Sequence, residues 1–338
     1  MRATNWVGDA VMSLPALHAL RAAFPRAHIS ILARPWVAGL YGCEPFCDEV
    51  IPYEAGKGWR ELGTKTRIAV SLRDRQFDCA ILFQNAFEAA ALAWMARIPV
   101  RIGYDRDARG RLLTHAVPVP KPGEIPVHQR FYYLELLKRA GLISSYPLDA
   151  EIRLRASESA AQDGRARLAG AGLSAPFLGV SPGAAFGNAK RWLPERFAES
   201  AVKLARHRGS SVAIFGSKDE TAVGEQVARE IKQAGVPVRN LAGKTSLPEF
   251  IEMAAACELF LTNDSGSMHI ASALGVPTVV VFGPTDEIAT GPAGRRNAVL
   301  REPVECSPCH RRECPIDHRC MTHVTADRAV EAGLELLK

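Results

Sequence analysis

The chain has 338 residues, and since a single hydrophobic core rarely grows beyond about 250–300 residues, two domains are expected. Its 47% hydrophobic and 23% charged residues are typical of a globular protein, with neither the roughly 18-residue apolar run of a membrane span nor a secretory signal, so we expect a cytoplasmic protein. The net charge of +6 suits anionic substrates or an anionic membrane surface, but it is too small to indicate nucleic-acid binding.

The first half of the chain alternates short strands with helices, which predicts one parallel sheet covered by helices. Such a domain usually begins with a strand, but here a loop at residues 1–9 leads directly into a helix at 10–24. We therefore expect the first central strand to be truncated and the true start of the chain to lie upstream of Met1, because a missing central strand would leave its neighbours unpaired. The further predicted elements are strands at 28–32, 49–52, 79–83, 100–103 and 116–119, and helices at 35–42, 65–74, 86–97 and 126–140.

The second half repeats this alternation after a linker at residues 143–155 and a helix at 157–173. Thr325 can cap a last helix that runs to Lys338, and we expect this helix to pack back onto the first domain. The predicted domains are residues 1–150 and 151–325, followed by the helix at 326–338. The predicted strands are 177–181, 211–215, 238–241, 259–262, 278–282 and 298–301, and the predicted helices are 194–207, 221–234, 247–256 and 268–274.

Residues 258–285 form one predicted strand–loop–helix–strand unit, and ligands of parallel sheets bind at the carboxyl ends of such strands. The backbone N–H groups of Ser265, Gly266 and Ser267 lie at the predicted helix start, which favours phosphate binding. His269 follows in the first turn, and Asp264 or Ser265 can cap the helix. The alternative is that Asp264 is only a cap and His269 only a packed imidazole.

Two further loops carry candidate functional groups. Asp9 sits at a predicted helix start, where a carboxylate stays ionised and can accept a proton from a hydroxyl; the alternative is a simple N-cap. Residues 181–192 are glycine-rich and end in cations, Lys190 and Arg191 among them, which suits a diphosphate. A solvated loop is the alternative for this second stretch.

A loop at residues 216–220 carries Asp219 and Glu220, whose carboxylates are candidates for binding ribose hydroxyls. The chain has no GxGxxG fingerprint between a strand and a helix and no GxxxxGK[ST] loop. These two absences argue against a dinucleotide-dependent dehydrogenase and against a P-loop nucleotidase.

Five stretches stand in a telling order and spacing: NWVGDAVMSLPAL, SPGAAFGNAKRWLPERFAE, FGSKDE, NLAGKTSL and TNDSGSMHIASALGVPTVVVFGPT. Together they closely resemble the ADP-heptose:lipopolysaccharide heptosyltransferase family, in particular its heptosyltransferase II branch, over nearly the whole chain. The resemblance implies an α/β fold of two facing Rossmann-like domains, called GT-B, each a parallel sheet flanked by helices. It also implies an inverting glycosyltransferase that moves L-glycero-D-manno-heptose from ADP-heptose to the heptosyl-Kdo2-lipid A inner core of lipopolysaccharide. Such an enzyme would work at the inner membrane of a Gram-negative bacterium, peripherally and on the cytoplasmic side.

The resemblance also assigns roles position by position. Asp9 matches the general base that deprotonates the acceptor hydroxyl, and Lys190 matches the lysine that stabilises the departing ADP. Asp219 or Glu220 falls near the acid that binds the ribose. Asp264, Ser265, Gly266, Ser267 and His269 match the segment at the donor diphosphate and sugar. Together with the glycine-rich loop, the predicted donor-binding residues are Ser181, Gly183, Lys190, Arg191, Asp219, Glu220, Asp264, Ser265, Gly266, Ser267 and His269.

The resemblance places the acceptor on the N-terminal domain. By charge alone, the basic residues at 65–75 and three arginines in one loop suit its phosphates and carboxylates, and solvated helix faces are the alternative. These arginines are Arg106, Arg109 and Arg111.

Four cysteines lie close together near the end of the chain: Cys306, Cys309, Cys314 and Cys320. Their spacing makes them a candidate structural zinc site, and disulfides or free thiols are the alternatives. The transfer itself is expected to need no metal or other cofactor, since a carboxylate base and the loop dipoles can do the chemistry. The remaining cysteines are expected to be small core residues: Cys43, Cys47, Cys79 and Cys257.

Two other functions stay open at this point. One is a GT-B transferase with another nucleotide sugar or another heptose position, which nucleotide preference distinguishes. The other is a nucleotide-sugar-binding protein without activity, which a transfer assay with the full acceptor distinguishes.

Overall fold

The computed structural model of the protein describes residues 1–42, 44–54, 59–155 and 158–338. The chain forms two compact units, Met1–Ala150 and Glu151–Lys338, which we call the first and the second unit. Each consists of parallel strands flanked by helices, as expected. Within the described ranges, none of the helices has both the length and the apolar character that crossing a membrane requires.

The sheet of the first unit is completed by the first three residues of the chain. Arg2 pairs in parallel with Leu32 on one side and with Leu82 on the other. The Ala3 N–H donates to the Leu32 carbonyl (3.0 Å), and the Phe83 N–H donates to the Arg2 carbonyl (3.1 Å). The strand expected to be truncated is thus present as a short segment that joins both neighbours. The other strands are β1 (Ser30–Ala33), β2 (Glu49–Pro52), β3 (Cys79–Leu82), β4 (Val100–Tyr104) and β5 (His115–Val117), with β1 beside β2 and β4 between β3 and β5.

Helices cover this sheet, and the first one differs from its prediction. The predicted helix at 10–24 forms two helices, α1 (Val7–Met12) and α2 (Leu14–Ala23). Pro15 explains the break, because proline has no N–H to donate to the carbonyl one turn earlier. The remaining helices of the first unit are α3 (Pro35–Tyr41), α4 (Trp59–Asp74), α5 (Phe87–Met95) and α6 (Arg130–Arg139).

The second unit has a parallel sheet of six strands: β6 (Phe177–Ser181), β7 (Ser211–Ile214), β8 (Val238–Asn240), β9 (Leu259–Asn263), β10 (Thr278–Phe282) and β11 (Asn297–Arg301). Their spatial order is β11-β10-β9-β6-β7-β8. The chain runs outward from β6 through β7 to β8, and then crosses to the other side of β6 to form β9. The carboxyl edge between β6 and β9 is therefore the topological switch point, where ligands bind in sheets of this kind.

The core of the second unit lies between this sheet and its helices. Strands β6, β9 and β10 are buried along their whole length, as is typical of parallel strands covered on both faces. Two short helices, Glu287–Thr290 and Arg319–Thr322, were not predicted, because four residues are too few to show a helical period. The helices are α7 (Glu158–Gly170), α8 (Pro194–Arg208), α9 (Thr221–Gln233), α10 (Leu247–Ala255), α11 (Gly266–Ala273), α12 (Glu287–Thr290), α13 (Arg319–Thr322) and α14 (Ala326–Leu336).

The last helix, α14, packs within the second unit, and the expected packing onto the first domain stays a prediction. It contacts α8, β10 and β11. Its buried residues are small, Ala326, Ala329 and Gly333, so the helix axis can lie close to these neighbours. Thr325 caps the helix as predicted, and its hydroxyl accepts a hydrogen bond from the Arg328 N–H (3.3 Å).

Candidate functional site

An ion pair between Lys190 and Asp264 lies at the switch point of the second unit. Lys190 ends a short 3-10 helix in the loop after β6, and Asp264 directly follows β9. The lysine Nζ is 2.5 Å from the aspartate Oδ2, and their side chains are only 13% and 5% exposed. The Thr285 hydroxyl, from the loop after β10, donates to the same carboxylate oxygen (2.5 Å). Three loops therefore bring a cation and an anion together at the edge where a ligand is expected.

Asn263 holds the glycine-rich loop in place. Its Nδ2 donates to the carbonyls of Pro182 (2.8 Å) and Gly183 (3.3 Å), and its Oδ1 accepts from the Trp192 N–H (2.9 Å). Trp192 is itself buried, and its indole N–H donates to the Val324 carbonyl (3.0 Å). The loop is thus fixed at both ends, and the alternative of a merely solvated loop is wrong. Asn263 was not among the predicted site residues.

The start of α11 presents a row of hydroxyl groups rather than the predicted cap. Ser265 occupies the N-cap position, but its side chain makes no capping hydrogen bond. Its hydroxyl instead bonds to that of Ser267 (2.7 Å), which donates to the Ser181 hydroxyl (2.8 Å). Asp264 is no cap either, since its carboxylate binds Lys190. The partial positive charge of the helix start is therefore available to an anion.

His269 and Arg191 complete the predicted donor residues around this edge. The imidazole of His269 is 5% exposed and lies in the first turn of α11. The guanidinium of Arg191 donates to the Ala184 carbonyl (3.4 Å) and so stays within the loop that follows β6. Both side chains are adjacent to the switch point in sequence, and their roles toward a ligand stay predictions.

Glu220, rather than Asp219, is the carboxylate that reaches the switch point. Glu220 is 9% exposed, and its Oε2 accepts from the Ser217 N–H (2.7 Å). A methyl group placed on Gly183 would lie 2.1 Å from Glu220 Oε1, so the glycine permits this close approach. Asp219 is exposed at the surface. Burial thus distinguishes Glu220 from Asp219, between which the sequence alone could not choose.

We expected no GxSxG pattern of a serine nucleophile, and this was wrong as to the pattern, because residues 179–183 read GVSPG. That motif needs a helix directly after the strand. Here β6 ends at Ser181, and the next element is the short turn Asn188–Lys190. The local structure is therefore not that of a nucleophile elbow.

Asp9 lies at the carboxyl end of the short Met1–Ala3 segment in the first unit. It is the third residue of α1, and Trp6 occupies the N-cap position, so Asp9 is not an N-cap. The Tyr133 hydroxyl, from α6, donates to Asp9 Oδ1 (3.1 Å). Burial, and then the Asp9 charge, raise the pKa of Tyr133 well above its usual value, so this hydroxyl stays protonated. It orients a half-buried carboxylate, and the sequence missed it because 124 residues separate the partners.

Arg109 is a structural residue, which corrects its prediction as an acceptor-binding group. Its side chain is fully buried, and its guanidinium donates to the carbonyls of Tyr104 (2.9 Å) and Gln84 and to Asn85 Oδ1 (3.0 Å). Burial lowers the pKa of Arg109 to about 10. A cation that completes the hydrogen bonds of buried carbonyls cannot also face a ligand. Arg106 and Arg111 are exposed, and their role stays a prediction.

The four clustered cysteines line one cavity of about 370 Å³. Their thiols are free, and within the described parts of the chain no three His, Cys, Asp or Glu side chains are close enough together to hold a metal ion. The zinc site therefore stays a prediction. Burial, followed by the neighbouring cysteines, raises the pKa of Cys320 to about 11. Of the other cysteines, Cys257 is buried and Cys47 half-buried as expected, Cys79 is exposed against expectation, and Cys43 lies outside the described residues.

The cysteine segment packs directly against the loop that carries Lys190. The Ala189 N–H donates to the Arg312 carbonyl (3.0 Å), and the His318 ring is hydrogen-bonded to the Ala189 carbonyl (2.8 Å). The Arg312 guanidinium also lies over the Phe186 ring, 5.2 Å from its centroid. The cysteine segment thus holds the Lys190 loop in position, and the contacts that do so involve no thiol.

Comparisons with known proteins agree with this geometry. The family model for glycosyltransferase family 9 (heptosyltransferase) matches residues 65–319. The lipopolysaccharide heptosyltransferase 2 of Salmonella typhimurium is 34% identical over 309 residues, which cover 88% of this chain and 86% of the relative. The corresponding protein of Escherichia coli K12 is 32% identical with the same coverage. The solved E. coli ADP-heptose lps heptosyltransferase II has 30% identity and a TM-score of 0.84, over 99% of this chain and 97% of that one.

Proposed function

This chain belongs to glycosyltransferase family 9, the heptosyltransferases, and we propose that it transfers L-glycero-D-manno-heptose from ADP-heptose to the heptosyl-Kdo2-lipid A inner core of lipopolysaccharide. The names of its relatives support the donor and the acceptor. The observation that carries the proposal is the buried Lys190–Asp264 pair at the start of α11, where an anionic donor fits. The alternative donors and the inactive binding protein have no comparable support.

The donor diphosphate is proposed to bind where β6 and β9 end. Lys190 supplies a positive charge, and the N–H groups at the start of α11 add a partial one. Because Asp264 and Thr285 hold this region in a fixed geometry, little reorganisation is needed when the phosphates arrive. Glu220 is placed to accept hydrogen bonds from the ribose hydroxyls.

The reaction proposed is a single displacement with inversion. The acceptor hydroxyl oxygen attacks the anomeric carbon, its proton passes to the Asp9 carboxylate, and the bond from that carbon to the ADP oxygen breaks. The electron pair leaves with ADP, whose growing negative charge Lys190 stabilises. The Tyr133 hydroxyl keeps Asp9 oriented for this step. These residues supply both the base and the charge compensation, so the proposal includes no metal or other cofactor.

The acceptor is a membrane glycolipid, and we extend the proposal to a peripheral location at the cytoplasmic face of the inner membrane. The net charge of +6 supports contact with an anionic lipid surface.

Thermal unfolding with ADP, UDP, GDP or NAD tests the donor. ADP at 100 times its Kd should stabilise the protein by about 2.7 kcal/mol, which is a rise of several degrees in Tm, and the other nucleotides should not. A shift with UDP or GDP instead would overturn the donor. Transfer is then measured with ADP-heptose and heptosyl-Kdo2-lipid A.

Asp9→Asn tests the catalytic role. It is expected to keep the ADP-induced shift and to lose at least about 100-fold in kcat, since the general base is gone. Asp78→Asn, an exposed aspartate at the amino end of β3 in the same unit, is the matched control and should retain full transfer. Full activity of Asp9→Asn would contradict the mechanism, and an ADP shift without any transfer by the native chain would favour the inactive binding protein.

A further inference from the structure

Three large aromatic side chains are exposed next to Asp9 in the first unit. Trp6 is 51% exposed, Trp36 58% and Phe87 51%. They follow three neighbouring parallel strands, the Met1–Ala3 segment, β1 and β3, so all three lie at the carboxyl edge of the sheet. Asp9 is on α1, which begins directly after Trp6. We call Trp6, Trp36 and Phe87 the aromatic edge.

Contacts of Trp36 and Arg34 join the parts of the aromatic edge into one surface. The Trp36 indole N–H donates to the Asn5 carbonyl (2.9 Å), which fixes this ring beside the residue before Trp6. Arg34 lies 5.9 Å from the centroid of the Trp36 ring and forms an ion pair with Glu88 (3.5 Å), the neighbour of Phe87 in sequence. The Trp36 ring is therefore held in place before any ligand binds, which lowers the entropic cost of binding.

The aromatic edge is backed by positive charge. The guanidinium groups of Arg2 and Arg34 lie over the Tyr53 ring, 5.0 and 4.3 Å from its centroid, and both side chains are almost buried. Burial lowers the pKa of Arg2 from its usual value, and the nearby Arg34 charge lowers it further, while Glu88 and Tyr53 oppose this. The two arginine charges offset the carboxylates of Glu88 and Asp9, so an anionic partner is not repelled from this surface.

Exposed aromatic rings beside a functional carboxylate suit the apolar C–H faces of sugar rings. Aromatic side chains give much contact area with few rotatable bonds, and C–H groups pack well on their faces. A bilayer is the other partner that exposed tryptophans suit. Docking this edge on hydrocarbon would, however, bring the carboxylates of Asp9 and Glu88 toward an apolar medium, which is costly.

We propose that the aromatic edge is the platform on which the sugar rings of an anionic acceptor saccharide stack, with Trp36 as its central contact. The proposal rests on the proposed function and adds to it the residues that present the acceptor hydroxyl to Asp9. Because the buried Arg2 and Arg34 charges offset the nearby carboxylates, the carboxylates and phosphates of this saccharide are not repelled.

Steady-state kinetics of Trp36→Ala test the platform. The KM for the acceptor is expected to rise about tenfold, because a lost aromatic stacking contact is worth roughly that factor. The KM for ADP-heptose and the ADP-induced shift in Tm should stay unchanged. Trp36→Phe retains a ring and should restore most of the affinity, which also covers the case that Trp36→Ala folds poorly.

Trp94→Ala is the matched control. Trp94 is 54% exposed and lies near the C-terminal end of α5, outside the aromatic edge. The substitution removes the same side chain as Trp36→Ala does. Its acceptor KM should stay within twofold of the native value. An unchanged acceptor KM in Trp36→Ala, or an equal rise in Trp94→Ala, would overturn the platform while transfer by the native chain leaves the proposed function intact.

Direct binding separates the saccharide from the lipid bilayer. A deacylated heptosyl-Kdo2 oligosaccharide should quench the intrinsic tryptophan fluorescence of the native protein and of Trp94→Ala, but bind Trp36→Ala about tenfold more weakly. If Trp36→Ala binds the oligosaccharide normally and loses affinity only for anionic phospholipid vesicles, the edge is a membrane contact and the proposal is wrong. This measurement does not depend on catalysis, so it still decides the matter if no heptose transfer is found.

Discussion

Arg109 carries a positive charge into the interior of the first unit. Its guanidinium donates to the carbonyls of Tyr104 and Gln84 and to Asn85 Oδ1, and of these the Tyr104 carbonyl also accepts from the Arg106 N–H. Arg109→Ala is therefore expected to lower the free energy of unfolding by about 2–4 kcal/mol, since a buried side chain is lost and each acceptor left without its donor costs about 1–3 kcal/mol. Urea unfolding followed by circular dichroism measures this loss.

Arg111→Ala provides the comparison for this prediction. Arg111 is exposed, and replacing an exposed side chain away from special features changes stability by about 0.5 kcal/mol or less. Equal unfolding midpoints for the two variants would contradict the structural role of Arg109. The sequence could not separate the two arginines, because charge alone predicts an exposed side chain and the pairing carbonyl of Gln84 lies 25 residues away.

Two helices of the second unit, α7 and α10, are packed closely at Gly164. A methyl group at this position would lie 2.0 Å from the backbone oxygen of Glu252, which cannot move without moving α10. Arg167 adds ion pairs to Glu249 (2.9 Å) and Glu252 (2.5 Å) across the same contact. Gly164→Ala should therefore cost about 1–3 kcal/mol through overpacking, seen as a Tm lower by several degrees in a thermal scan.

Gly170→Ala is the matched change in the same helix. Gly170 is exposed and has no atom within 4 Å of an added methyl group. Alanine is a better helix former than glycine, so the free energy of unfolding should stay the same or rise by up to about 1 kcal/mol. The Tm of this variant should therefore be equal to or higher than that of the native protein. A Tm loss of similar size in both variants would show that helix propensity, rather than the contact with α10, sets the cost.

The elements themselves were predictable because their residues are uniform. Buried strands of parallel sheets are continuous apolar runs, and the predicted strands 177–181 and 278–282 agree with β6 and β10 residue for residue. The ends and breaks of helices were predicted less accurately. The helix predicted at 10–24, for example, is divided into α1 and α2 near Pro15. The four-residue helices have no period to detect.

The candidate site was predictable where the sequence of a single loop marks a residue. Lys190, Asp264 and Ser267 were each predicted from their own loop, and the structure joins Lys190 to Asp264 across 74 residues. Asn263 and Tyr133 were missed, because their roles show only in contacts with partners about 70 to 124 residues away. Contacts between residues far apart in the chain are therefore what the structure adds to the sequence.

For the molecule as a whole, the residues proposed to bind the donor and those proposed to bind the acceptor belong to different units. Hydrogen exchange with ADP bound is expected to slow at residues 181–191, 217–220 and 264–269, all within the second unit, because the ligand covers and stabilises these amides. Amides of the first unit, including those of α1, should exchange at their ligand-free rates. Protection concentrated in the first unit would contradict the placement of the nucleotide.

The contact between the Lys190 loop and the cysteine segment has a consequence for how this protein can be altered. An added methyl group on Gly187 would lie 2.2 Å from the Arg312 carbonyl oxygen, and His318 reaches Ala189 across 129 residues of chain. The two segments are therefore in direct contact, and the shape of each depends on the other. In a chimera made with a relative, residues 186–190 and 312–318 should be exchanged as a pair, because either one alone would meet a surface shaped for a different partner.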